Sequence, residues 1–160
     1  VDARFGGLRW RDAAAYIPAQ ICGCVLGAIA ANSMFAHAAV SISTKHRATG
    51  GHLVGEIVAT AGLIVLIFAL ARTHRGALAA PAVGAYIGAA YWFTSSTSFA
   101  NPAVTVGRIF SDTFAGIAPA SVAGFVGMQL LGLVLGLGAL LVLYPDAGFT
   151  ADDAVVPHSP

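Results

Sequence analysis

The chain has 160 residues, 58% of them hydrophobic and only 9% charged, with a net charge of +1 and a mean hydropathy of +0.81. A soluble domain carries about 25% charged residues and must face water over most of its surface, so this composition points to lipid as the solvent. The even charge balance excludes the basic face that nucleic-acid binding needs.

The opening residues, Asp2-Ala3-Arg4-Phe5-Gly6-Gly7, are loop-like, and position 1 is Val, which predicts a fragment boundary. Four apolar stretches then approach the roughly 20 residues that a bilayer-spanning helix requires. They cover residues 13–36, 53–71, 77–94 and 120–144. Polar punctuation separates them at 41–52 and 72–75, and a polar tail follows from Pro145. Cys22 and Cys24 sit inside the first stretch and read as packing residues, since two cysteines make neither a disulfide framework nor a metal-ligand set. No cofactor is expected. The many glycines inside the spans suit membrane helices, where small residues let backbones approach.

Residues 95–110 are different in kind. A hydroxyl-rich lead, Ser95-Ser96-Thr97-Ser98, runs into Asn101-Pro102 and a short apolar run. Asn is a preferred N-cap and Pro a preferred first helical residue, so a helix is predicted to start here. It is too short to cross a bilayer. Non-helical backbone survives at membrane depth only where protein buries it or a wet cavity borders it. The pattern therefore predicts a re-entrant half-helix, and with it a channel or transporter.

The first and fourth spans share a pattern. Gln20, Gly23, Val25, Leu26 and Gly27 recur as Gln129, Gly132, Val134, Leu135 and Gly136, an offset of 109 positions. Read as a repeat, the first span ends one three-helix unit and spans two to four make the next, which an odd helix number inverts. A partner of Asn101-Pro102-Ala103 is then expected eight or nine residues upstream of Val1.

These residues resemble the major intrinsic protein family, the aquaporins and aquaglyceroporins, over nearly all of positions 1–145. The resemblance rests on Asn101-Pro102-Ala103 opening a short helix, on Glu56 early in the second span, and on Gln20 in the first. It implies an all-α membrane protein, an aquaporin-like inverted-repeat bundle, here with four transmembrane helices and one re-entrant half-helix. Residues 1–52 would end the first repeat, 53–145 form the second, and 146–160 make a polar C-terminal tail. The implied assembly is a homotetramer in the plasma membrane with its C-terminus in the cytoplasm, and the Ala- and Arg-rich, Lys-poor composition suggests a bacterium. That orientation places Arg4, Arg9, Arg11, Arg72 and Arg75 inside and Lys45, Arg47 and Arg108 outside, in weak accord with the positive-inside rule.

The resemblance also implies site residues. Asn101 would turn its amide NH2 into a pore, and half-helix dipoles would oppose cations. Glu56, the only acidic residue well inside a span, would accept hydrogen bonds from the re-entrant loop; an interfacial, snorkelling carboxylate is the other reading. Gln20 and Gln129 would brace the half-helices, or simply hydrogen-bond between spans. The selectivity filter would use Ala89, Ser98 and Val104. Family members usually carry Arg at the position of Val104 and, in water-selective members, His at that of Ala89, so a wider and less polar filter is implied here. Arg108, one turn beyond Val104, is placed in the outer vestibule, with Asp112 a further turn along as a possible partner.

The implied function is passive passage of water and small uncharged solutes such as glycerol-like polyols, urea or neutral metalloid hydroxides like arsenous acid. A secondary transporter with a broken-helix site and a non-conducting membrane assembly protein remain alternatives. No enzyme is expected, because no span carries a nucleophile with a base or a set of metal ligands.

Overall fold

The computed structural model describes residues 9–144; the predicted C-terminal tail 146–160 and the first eight residues lie outside them. Helix α1 spans Trp10–Met34 and α2 spans Gly50–Arg72. A 3-10 turn at Gly76–Leu78 leads into α3, Ala79–Phe93. The short α4 covers Pro102–Gly107 and tightens into a 3-10 turn at Arg108–Phe110. Helix α5 spans Pro119–Leu143. The four long helical segments are each long and apolar enough to cross a membrane, and no strand occurs among the described residues. The fold is the all-α membrane bundle that the sequence predicts. Boundaries moved by no more than about one turn, as helix ends commonly do.

Small residues set the helix contacts. Gly132 and Gly136 stand four apart on one stripe of α5 and lie against the backbone of α2. A Cβ at 132 would come within 2.7 Å of the Ile57 carbonyl oxygen, and one at 136 within 2.8 Å of that of Ala61. The α2–α5 pair is the most extensive contact in the bundle, since backbones this close gain dispersion along their length. On its other side α2 receives Tyr86 of α3, whose hydroxyl donates to the carbonyl of Ala59 at 3.0 Å over Gly62. The half-helix α4 rests on α1, with Gly107 pressed on Cys24.

The predicted repeat pairs α1 with α5. Gln20 and Gln129 both stand ten residues beyond the first residue of their helices, Trp10 and Pro119, and both helices are 25 residues long. Their glycines differ in surroundings: Gly23 and Gly27 of α1 meet open space, whereas Gly132 and Gly136 meet α2.

Residues 35–49 run from α1 to α2 as a strap across the segment after α4. Ser43 donates its N–H to the carbonyl of Ile109 at 2.8 Å, and Ala118 donates to that of Lys45 at 2.8 Å. Asn32, buried at the end of α1, donates to the carbonyl of Phe110 at 2.9 Å and accepts from the Ser111 hydroxyl at 2.6 Å. Beneath the strap, Phe99, Ile117 and Phe125 form a buried cluster that Val104 and Ile109 flank.

Candidate functional site

The backbone from Thr94 to Asn101 is not helical, and it is costly to hold. Thr97, Ser98 and Ala100 all have positive φ, at 61°, 46° and 47°. An L-residue with a Cβ loses roughly 1–2 kcal/mol in that region, so something must fix the loop. Its own hydroxyls do part of it: Thr94 donates to the Ala90 carbonyl at 2.7 Å, Ser95 to that of Gly51 at 2.8 Å, and Ser96 accepts the N–H of Ser98 at 3.2 Å. The hydroxyls of Thr94, Ser95 and Ser96 thus pair part of this irregular chain, while those of Thr97 and Ser98 are buried without a partner.

Two charged side chains do the rest. Glu56, fully buried in α2, accepts the N–H of Phe99 on Oε1 at 2.9 Å and that of Ala100 on Oε2 at 3.0 Å. Oε2 also accepts from Nε2 of Gln129 at 2.6 Å. The same Gln129 nitrogen donates to the Thr105 hydroxyl at 2.9 Å, and that hydroxyl donates to the Asn101 carbonyl at 2.9 Å. One network therefore joins α2, the loop, α4 and α5 around a carboxylate. The burial of Glu56 leaves no room for a carboxylate that snorkels out to solvent.

From the other side comes Arg47 of the strap, itself buried. Its Nε donates to the Gly116 carbonyl at 2.7 Å, its Nη1 to that of Ser96 at 3.3 Å and its Nη2 to that of Phe114. Burial pushes the Arg47 guanidinium down from the usual arginine range, and the positive charge of Arg108 adds to this. Both guanidiniums lie over the ring of Phe99, Arg47 at 5.2 Å and Arg108 at 4.2 Å from its centroid.

Asn101 caps α4 through its side chain, Oδ1 accepting the N–H of Ala103 at 2.8 Å. That commits the acceptor end of the amide and turns its NH2 elsewhere. Asn101 and Pro102 line an inner cavity of about 300 Å³ together with Gln20, Thr60 and Gln129. Thr60 Oγ1 and Gln129 Oε1 are buried there without a protein partner. A second cavity of about 630 Å³ lies further along α4, at Val104 and Arg108. Its wall includes Cys24, Asn32, Tyr91, Val104, Arg108 and Phe114.

The sequence-predicted residues therefore divide. Asn101, Pro102, Gln20 and Gln129 meet at the inner cavity, Val104 and Arg108 at the outer one, and Glu56 stands behind the loop. Ala103 is buried in α4, donating its N–H to the cap. Ser98 is buried with its hydroxyl unpartnered, and Ala89 is exposed on α3; neither lines these two cavities. Asp112 does not pair with Arg108. The helix breaks at Ser111, and the Asp112 carboxylate instead accepts the N–H of Thr44 at 2.9 Å. Sequence reasoning missed Arg47, Asn32, Tyr91 and Phe99. Arg47 and Asn32 stand in or beside a loop with no motif of their own, and only tertiary contact reveals their partners.

Over 147 residues, 92% of this chain, the sequence is 46% identical to a protein named aquaglyceroporin AqpS from Rhizobium meliloti (strain 1021). The chain spans 63% of that relative's length. No family model matches the chain, and no solved structure matches it.

Proposed function

We propose that the chain belongs to the major intrinsic protein family and that the protein is a passive transmembrane channel for water and small uncharged solutes, with glycerol-like polyols, urea and arsenous acid among them. The observation that carries this reading is the pair of cavities along α4, one bordered by Asn101 and the other by Val104 and Arg108. An amide whose oxygen caps the helix offers its NH2 to a solute oxygen, which orients a water or hydroxyl group in single file. Glu56 and Gln129 hold the loop and, through Thr105, the Asn101 backbone in place, so the donor is positioned before a solute arrives.

Val104, which lines the outer cavity, would leave the filter wide and weakly polar there. A solute larger than water then meets less steric and desolvation resistance. The channel would assemble as a homotetramer in the bacterial plasma membrane, with its C-terminus in the cytoplasm and no cofactor.

The test is flux through proteoliposomes holding the protein expressed from its complete reading frame. Stopped-flow light scattering would compare water, glycerol, urea and arsenous acid with empty liposomes and with Val104→Arg. Non-saturating glycerol flux that Val104→Arg lowers about tenfold, equivalent to about 1.4 kcal/mol on the barrier, is the expected result. Saturable, gradient-coupled uptake would replace the channel with a transporter. Folded protein with no flux above empty liposomes would discard both.

A further inference from the structure

The outer cavity holds a guanidinium whose donors the fold leaves unused. Arg47 spends Nε, Nη1 and Nη2 on three carbonyl groups, and the Asn32 amide spends its NH2 on the carbonyls of Ala39 and Phe110. The Arg108 side chain has no hydrogen bond or ion pair among the described residues, and its Nη1 is buried without a partner. Its guanidinium is nonetheless fixed, because it stacks on Phe99 at 4.2 Å and Phe99 is held at its own N–H by Glu56. A buried guanidinium with spare N–H groups is costly unless something accepts from it. The cavity that it lines is where an acceptor can arrive, and Val104, one helical turn earlier on α4, lines the same wall.

Taking the channel reading as given, we propose that Arg108 is the specificity-determining residue of the outer cavity, donating to the acceptor oxygens of small hydroxylated solutes and excluding cations by its fixed charge. It does the two things that apolar Val104 cannot do. Arg47 is fixed behind the same ring and carries the same sign, so the cation-excluding field at this mouth comes from two guanidiniums, of which Arg108 is the one that reaches the solute. The stacked, planar geometry aims the donors, which a lysine ammonium on a flexible stem would not reproduce.

The test uses the protein from its complete reading frame, in proteoliposomes and in detergent. Arg108→Met keeps the stem and removes the charge. It is expected to raise sodium and proton leak about a hundredfold, the effect of one unit charge roughly 6 Å from the ion at an effective dielectric of about 20. Glycerol flux is expected to fall about tenfold, the worth of one hydrogen bond from a charged donor. Adding Val104→Arg to Arg108→Met returns a charge to the same wall and should restore cation exclusion, which a merely structural Arg108 would not allow. Folded Arg108→Met with unchanged leak and unchanged glycerol flux overturns the proposal.

If Arg108→Met does not fold, the wild-type protein decides. Phenylglyoxal labelling read by peptide mass spectrometry should modify Arg108, and glycerol at molar concentration should protect it. Labelling of exposed Arg9 without any of Arg108, or labelling that glycerol leaves unchanged, overturns the proposal. Absence of wild-type flux would instead defeat the channel reading, which the labelling does not test.

Discussion

Replacing Glu56 by Gln changes almost nothing in shape and removes one acceptor oxygen. The carboxylate receives three donors, the Phe99 N–H on Oε1 and the Ala100 N–H and Gln129 Nε2 on Oε2. An amide oxygen placed at Oε2 keeps two of them and sets an NH2 against the N–H of Phe99, donor facing donor. Placed at Oε1, it loses two. In the better case one hydrogen bond to a charged acceptor disappears, a buried N–H is left unpaired, and the remaining two bonds become neutral, for a total of about 3 kcal/mol. The loss falls on a loop already strained at Thr97, Ser98 and Ala100, so it should appear as local opening. At about 1.4 kcal/mol per factor of ten, amide hydrogen exchange at Phe99 and Ala100 should accelerate about a hundredfold in Glu56→Gln. Exchange measured by mass spectrometry on peptides covering residues 95–101, with α5 peptides as an internal reference, reads this directly. Protection at 99 and 100 within twofold of wild type would refute the argument that the carboxylate holds the loop.

Gly136→Ala should lower the thermal unfolding midpoint in detergent, by the equivalent of about 1–3 kcal/mol of overpacking, because its Cβ would meet the backbone of Ala61. Gly138→Ala, which meets nothing within 4 Å, should leave the midpoint unchanged or raise it slightly. The Thr44 N–H holds the Asp112 carboxyl below its ordinary value of 3.8. A depressed carboxyl stabilises the folded form fully above that ordinary value and loses its contribution as pH falls through the lowered one. Exchange of the Thr44 amide should therefore quicken only in acid below that value, and Asp112→Asn should remove this acid dependence.

Much of this protein was legible in its sequence for reasons that are local or compositional. Length and hydropathy placed four spans, because the bilayer sets how many apolar residues a helix must have. Asn101-Pro102 announced a helix start, because a cap and an N–H-free first residue act within one turn. Glu56 stands out in the sequence because a carboxylate in an apolar span needs a reason to be there. The sequence by itself thus determined the fold class and the place of the half-helix. It did not determine what Glu56, Gln129 and Thr105 make together, since they come from three helices whose approach depends on glycine contacts between α2 and α5. Nor did it reveal Arg47, which becomes structural only when a strap more than 45 positions away in sequence folds over Ser96 and Gly116. Spacing alone set Asp112 against Arg108, and the break at Ser111 undid it. Tertiary structure decided which arginine is spent on carbonyl groups and which keeps a free donor at the outer cavity, because hydrogen-bond saturation belongs to neighbours in space and not to neighbours in the chain.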